Sequence, residues 1–240
     1  MADSSLAEQV ESYGWYHTLD LGDGVVTSGM FDHRPVLKHY PLPDDLSGLR
    51  CLDVGTMDGF WAFEMERRGA AEVVAVDAPD PLALDWPASL RATAEKTLDE
   101  TKEERFALAH RALGSRVRRV ARSVYDIDPE QLGSFDVVFC GDLLVHLRDP
   151  VGALERIHSV CSGSAIVTNP IERFGIRDRL PLARLDGVDE FGWWTTNLAG
   201  LVRMVRAAGF SSVEPSRTFK LPFAGGGSWK GLRGVVQARH

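Results

Sequence analysis

An apolar run, Cys51-Leu52-Asp53-Val54, leads directly into Gly55-Thr56-Met57-Asp58-Gly59, and Asp77 stands 22 residues beyond Gly55 at the close of the next apolar run. A carboxylate at that distance from a glycine turn is the pattern of a nucleotide-ribose site. A dinucleotide turn needs G-x-G-x-x-G, so that backbone can approach pyrophosphate at the second glycine and pack closely at the third. Counted from Gly55, Met57 and Phe60 occupy those two places, so the pyrophosphate reading fails. No G-K-[ST] follows, which excludes a P-loop.

A nucleoside without phosphate satisfies the remaining pattern. S-adenosylmethionine has the right parts: ribose hydroxyls for Asp77, a carboxylate for the helix N-terminus, and a cationic end that Asp53 can help neutralise. Thr56 and Met57 in the turn, Ala78 after Asp77 and Gly141 at the end of a later strand complete the candidate cofactor contacts, with Met57 expected to point away from the methionine tail. Tyr125 and Asp126 are placed to pack on and hydrogen-bond adenine, although an Asp-rich turn, DIDPE, explains them as well. Asp77 also reads as a solvated strand end or helix cap, Asp53 as a brace of the turn, and Gly55 and Gly59 as conformational necessities of either reading.

The candidate base is His146, just past the strand FDVVFC, at the carboxyl edge where open α/β sheets bind ligands. The competing reading makes it a structural histidine that ties LLVHLRDP to the next helix. Trp193 and Trp194 are expected to form one wall of an acceptor pocket, and Trp15, Tyr16 and Phe31 the other, with core packing as the alternative. Arg116, Arg118, Arg119 and Arg122 are the one cluster resembling a nucleic-acid footprint; an edge strand defended by charge gives the same pattern.

The elements that must position these residues are those of a doubly wound α/β sheet. Strands are expected at 51–54, 73–78, around 117–125, at 135–140 and at 165–169, with amphipathic helices at 58–68, 98–113 and 150–160. A helix is expected over 195–208, ended by Gly209, and a closing strand pair at 210–215 and 231–238 around the turn-rich 222–228. Residues 1–49 stand outside this alternation and read as a helical lid over a domain comprising 50–240.

Four stretches carry a family resemblance: WYHTLDL (15–21), LDVGTMDGFWAFEMERRGA (52–70), FDVVFCGDLLVHLRDPVGALERI (135–157) and WWTTNLAGLVRMVRAAGF (193–210). The chain resembles class I S-adenosylmethionine-dependent methyltransferases, and within them the proteins related to the tRNA wobble-uridine carboxymethyltransferase. The resemblance implies a Rossmann-like, seven-stranded sheet in the order 3-2-1-4-5-7-6 and in-line methyl transfer. In that enzyme two lysines, a tryptophan and a tyrosine read the extra carboxylate of carboxy-S-adenosylmethionine. Those positions fall near His17, Arg34 and Met30 and at Val145, and a C-terminal arginine is retained as Arg233. With Arg233 and Arg34 as the available cations, ordinary S-adenosylmethionine is the expected cofactor over the carboxylated one. Tyr16, His17, Arg34, Trp193, Trp194 and Arg233 are the candidate substrate contacts.

Composition bounds the partners. The 240 residues carry 27 Lys and Arg against 34 Asp and Glu, a net charge of −7, which disfavours tRNA and favours a small-molecule acceptor. Three cysteines without a CxxC pair, and histidines with no i, i+4 pair, predict a reduced, metal-free protein. MADSSLAEQVESYGWYH has neither a basic start nor an apolar h-region, and no run approaches the roughly 20 residues of a membrane span, so a cytoplasmic protein is expected. The spacing assigns no oligomeric state.

Overall fold

The computed structural model describes residues 5–80, 82, 84–97, 101–188, 190–224 and 231–240. Ten strands are formed among them: β1 (Arg50–Val54), β2 (Glu72–Asp77), β3 (Arg118–Ala121), β4 (Phe135–Gly141), β5 (Cys161–Pro170), β6 (Ala183–Leu185), β7 (Trp194–Thr196), β8 (Ser212–Pro215), β9 (Phe219–Lys220) and β10 (Leu232–Arg239). Seven helices accompany them: α1 (Leu6–Glu11), α2 (Phe60–Arg67), α3 (Ala88–Thr97), α4 (Lys102–Ala112), α5 (Pro129–Leu132), α6 (Pro150–Val160) and α7 (Leu198–Ala207).

The main sheet runs β3-β2-β1-β4-β5-β10-β8, with β9 paired to the start of β10. Strands β1 to β5 pair in parallel, while β10 runs antiparallel to both β5 and β8. With the short β6, β7 and β9 set aside, this is the expected order 3-2-1-4-5-7-6. Alternate residues of each strand point to opposite faces, so the Val- and Leu-rich central strands feed two apolar layers. Cys51, Ala75, Phe139 and Ile166 face α2 and α4, whereas Leu52, Val76, Val138 and Val167 face α6 and α7.

Several boundaries differ from the sequence reading for local reasons. β3 stops at Ala121, because the Ser123 side chain caps a 3-10 turn over Val124–Asp126. α2 begins at Phe60 because Gly59 holds φ +98°, and a Cβ there would run into Phe63 and Phe106. Thr195 and Thr196 belong to β7, and α7 starts only after Asn197, whose Oδ1 accepts the Gly200 N–H at 2.7 Å. Residues 98–100 of the expected 98–113 helix and 225–228 of the expected turn lie outside the described residues.

The N-terminal segment is not the helical lid expected. Beyond α1 and a 3-10 turn at Arg34–His39 it is extended and irregular, fastened by isolated bridges such as His17 with Phe31 and Phe31 with Phe223. Glycines at 14, 22, 24 and 29 and prolines at 35, 41 and 43 break helix propagation there. Trp15, Leu19, Phe31 and Tyr40 are buried in the same apolar layer as α2 and β1. Among the described residues no helix is long and apolar enough to cross a membrane.

Candidate active site

Two adjoining pockets open along the carboxyl ends of the parallel strands. The smaller, about 480 Å³, is lined by Gly55, Asp77, Ala78, Ser123, Tyr125, Asp126 and Leu143. The larger, about 570 Å³, shares Gly55, Asp77, Leu84, Asp85, Leu143 and Leu147 with it and extends under the N-terminal segment.

The turn after β1 builds the junction. Gly55 takes φ +79°, and its N–H and that of Thr56 donate to the Val76 carbonyl at 2.8 and 3.2 Å, tying β1 to β2. Met57 also lies in the left-handed region, at φ +51°, and its N–H donates to Asp77 Oδ2 at 2.7 Å. Lys102 Nζ, 2.8 Å from Asp77 Oδ1 and 2.7 Å from the Ala78 carbonyl, is 5% exposed and lines the larger pocket. Each Asp77 oxygen thus has one protein partner and a second lone pair still available.

Polar groups are sparse in the larger cavity. Asp53 is 1% exposed and its Oδ2 has no partner among the described residues; burial pushes its carboxyl up to about 7. Asp142, at φ +53° just past β4, accepts Arg233 Nε on Oδ2 at 2.5 Å, while its Oδ1 and the nearby Thr168 Oγ1 are buried without a partner among the described residues. His146 Nδ1 lies 2.6 Å from the Phe191 carbonyl, so it must carry the proton and donate. On the far side His17 Nδ1 pairs with Asp58, a fully buried carboxylate that also accepts the Tyr16 and His17 N–H groups at 2.8 and 3.0 Å.

Most of the predicted cofactor residues are brought together, with exceptions. Asp53, Gly55, Met57, Asp77 and Gly141 line the larger cavity, and Ala78, Tyr125 and Asp126 the smaller. Met57 forms part of the cavity wall instead of turning away, because its left-handed backbone is fastened to Asp77. Thr56 and Gly59 line neither pocket; Thr56 is buried beneath the turn and Gly59 serves the start of α2. Tyr125 donates its hydroxyl to Asp85 Oδ2 at 2.6 Å, which together with burial raises its pKa above the ordinary phenol value.

The acceptor-side expectations fare differently. Tyr16, His17 and Phe31 line the cavity, but Trp193 and Trp194 do not. Their indole N–H groups are spent on the Asp85 carbonyl at 2.5 Å and the Arg148 carbonyl at 3.1 Å. The wall expected of them is supplied by Trp86 and Phe191, stacked with centroids 3.9 Å apart. Trp15 is buried in the apolar layer, does not line the cavity, and donates its indole N–H to the Val10 carbonyl. Arg34 is exposed and grips Asp32 through Nε and Nη2 at 2.9 and 2.8 Å, outside the site. Arg233 is fully buried behind Asp142 and is not on the cavity surface. The arginine run lies on and around the edge strand β3, with Glu66, Glu72 and Glu103 within 4 Å of Arg116, Arg118 and Arg119.

Residues 34–214 match the family described as a methyltransferase domain. The chain belongs to that family. A ubiquinone biosynthesis O-methyltransferase of Xanthomonas euvesicatoria pv. vesicatoria is 32% identical over 117 residues, 48% of this chain and 40% of the relative. A tRNA U34 carboxymethyltransferase of Ectopseudomonas mendocina is 27% identical over 176 residues, 71% of this chain and 47% of the relative. The chain therefore spans less than half the length of these curated relatives. Among solved structures, the N-terminal domain of EvdMO1 in the presence of SAH and D-fucose superposes with TM-score 0.60 at 18% identity, covering 97% of this chain and 93% of that one. An S-adenosylmethionine-dependent methyltransferase from Mesorhizobium loti gives 0.53 at 16% identity, covering 87% and 97%. These likenesses establish the shared fold. Within this methyltransferase-domain chain the family match holds Asp53, Asp77 and Asp142, while Tyr16, His17 and Arg233 lie outside it.

Sequence reasoning missed Lys102, Asp142, Trp86 and Phe191 as site residues and gave Asp58 no role. Asp58 had a readable signal, an acid inside the glycine turn; Lys102 is one charge among many on an amphipathic helix, and nothing local marks it.

Proposed function

We propose that this chain is an S-adenosylmethionine-dependent methyltransferase acting on a small-molecule acceptor. The observation that carries the reading is the pair of pockets joined at Gly55 and Asp77, with an unpartnered Asp53 oxygen buried beside the junction. A buried carboxylate without a counter-charge is a site in need of a cation, and the cofactor's amino-acid end and sulfonium are cationic. The residues present fit that cofactor: Tyr125 and Asp126 flank the adenine end, Asp77 offers its second lone pairs to ribose, and Asp53 meets the cationic end. When bound, the cofactor supplies an activated methyl group. The chain's own contribution is alignment: the Gly55 turn fixes the nucleoside, and the N-terminal segment over the larger cavity excludes water from the acceptor.

Ordinary S-adenosylmethionine is favoured over the carboxylated form, because Arg34 is held outside the cavity and Arg233 is engaged by Asp142. A tRNA acceptor draws support from the Ectopseudomonas relative, but three of the four arginines that would grip phosphate, Arg116, Arg118 and Arg119, have glutamates within 4 Å. Calorimetric titration with S-adenosylmethionine, S-adenosylhomocysteine and the carboxylated analogue tests the reading, followed by methylation assays on a panel of small acceptors. One-to-one binding with preference for the ordinary cofactor is expected. Binding of none of the three overturns it, binding without any turnover reduces the chain to a cofactor-binding protein, and salt-sensitive tRNA binding moves the acceptor to RNA.

A further inference from the structure

Tyr16 and His17 lie side by side on the N-terminal segment, both backbone N–H groups donate to Asp58, and the His17 ring pairs with the same carboxylate. The His17 backbone is locked: the N–H donates to Asp58 Oδ2 at 3.0 Å and the carbonyl accepts Thr27 Oγ1 at 2.7 Å. Gly29 must be glycine, since a Cβ would meet the His17 carbonyl carbon at 2.0 Å. The ring packs between Tyr16 and Phe60, with centroids 4.7 and 5.6 Å away, lines the larger cavity, and pairs through Nδ1 with Asp58.

We infer that His17, backed by Asp58, takes the proton from an aromatic hydroxyl bound in the larger cavity. The inference rests on the methyltransferase reading above. Burial alone would raise the Asp58 carboxyl, but the His17 charge and the hydrogen bonds from His17 and Tyr16 more than offset it and hold it below the ordinary value. Asp58 is therefore an anion at neutral pH, Nδ1 is the donor to it, and Nε2 is the ring nitrogen that the pair leaves unused. The imidazolium formed on accepting a proton is stabilised by the adjacent carboxylate. His146, the base expected from sequence, donates Nδ1–H to the Phe191 carbonyl, which fixes its tautomer. Asp53 and His33 are further titratable groups beside His17. Asp53 feels the His17 charge, which lowers its carboxyl against the effect of burial. His33, 5.4 Å from His17, is kept neutral by burial, its pKa well below the ordinary value, and bonds Tyr40.

The acceptor class follows from the walls. Tyr16, Phe31, Trp61, Trp86, Phe191 and Phe223 line the cavity, which suits a flat aromatic ring. In the step, the acceptor oxygen forms a bond to the methyl carbon as the S–C bond breaks and its electron pair stays on sulfur. The hydroxyl proton passes to His17 Nε2 and then to water. A sulfonium and a neutral phenol become a thioether, an aryl methyl ether and one proton.

The test uses 4-nitrocatechol, whose absorbance reports its ionisation, added across pH to the full chain saturated with S-adenosylhomocysteine. In the wild type the bound probe should lose its proton at least one pH unit lower than the free probe, ~10-fold in acid constant. The shift should vanish in His17→Gln and shrink in Asp58→Asn, with S-adenosylhomocysteine affinity held within about twofold. An unchanged probe pKa, a shift that survives His17→Gln, or failure of the probe to bind beside S-adenosylhomocysteine overturns the inference while leaving the cofactor reading intact. Loss of S-adenosylhomocysteine affinity in His17→Gln without a probe effect assigns His17 to the cofactor's carboxylate and also overturns it. Absence of S-adenosylhomocysteine binding to the wild type overturns the methyltransferase reading itself. Should His17→Gln not fold, histidine-ring NMR of the wild type decides, with the His17 ring expected to become imidazolium on probe binding.

Discussion

At the proposed nucleoside end, Asp77 has both oxygens engaged before any ligand arrives, by Lys102 at 2.8 Å and by the Met57 N–H at 2.7 Å, and its partners come from the turn between β1 and α2 and from the start of α4. At the proposed acceptor end, Phe31, Trp61, Trp86, Phe191 and Phe223 come from five separated segments and offer mainly apolar surface. One end is a preset polar lock and the other an assembled aromatic slot. Binding energy at the first should depend on charge pairs that are costly to break, and at the second on shape, where single residues matter less.

The largest effect is therefore expected at the lock. Lys102→Met leaves a buried carboxylate with a single N–H partner, and breaking a buried pair this way costs about 3–5 kcal/mol. Chemical denaturation should show that loss, and most of it should return in the double variant Lys102→Met/Asp77→Asn, where no charge is left stranded. A loss below about 1 kcal/mol in the single variant would mean the pair is no stronger than a surface contact, and the contrast between the two ends would collapse.

The second prediction concerns Asp53, at the boundary between them. Burial raises its carboxyl to about 7, so the ligand-free fold holds this proton more tightly than the unfolded chain does. The contribution of this group to stability therefore falls as pH rises from the ordinary carboxylate range to about 7. Binding of a cation selects the ionised form, so the sign reverses for affinity. S-adenosylmethionine should bind about tenfold more tightly for each pH unit gained below the raised value and level off above it, with one proton released. Calorimetry in buffers of different ionisation enthalpy counts that proton. In Asp53→Asn the profile should be flat, and a wild-type profile as flat as the variant's would remove Asp53 from the cation site.

The same contrast explains what the sequence disclosed. Asp53, Gly55 and Asp77 were legible because a strand, a turn and a strand fix their separation through hydrogen bonds that the local pattern already implies. The sheet order came from the family resemblance and is met down to the closing pair β8 and β10. The N-terminal segment was not, because its glycines and prolines set backbone that only packing against α2 resolves. Trp193 and Trp194 were misplaced because two adjacent aromatics carry no record of where their N–H groups go, and here both are consumed by carbonyls of distant loops. Trp86 and Phe191 meet across more than a hundred residues of chain, and no spacing rule joins them.

At the slot a smaller effect follows. Phe191→Ala removes a ring stacked on both Trp86 and His146, at 3.9 and 4.6 Å, and such pairs are worth about 0.5–1.5 kcal/mol beyond area. Affinity for 4-nitrocatechol should drop by roughly tenfold, while S-adenosylhomocysteine affinity changes by about twofold or less. Equal losses for both ligands would mean the two pockets behave as one unit.

The smallest effect is expected at Arg34, the residue the sequence offered as a clamp for a second carboxylate. Its side chain is 39% exposed and its partner Asp32, two residues earlier, is 27% exposed, so the pair forms and breaks in a largely aqueous setting. The Arg34 hydrogen bond holds the Asp32 carboxyl below its ordinary value, but water and salt screen that attraction, and exposed pairs contribute under about 1 kcal/mol. Arg34→Ala should leave the melting temperature close to that of the wild type. It should also leave unchanged the ratio of affinities for S-adenosylmethionine and its carboxylated analogue, because the guanidinium does not reach the cavity. A selective loss of affinity for the carboxylated ligand in Arg34→Ala would show that the N-terminal segment repacks on binding and brings this cation inward. The acceptor end would then be induced by its ligand, while the nucleoside end remains preset.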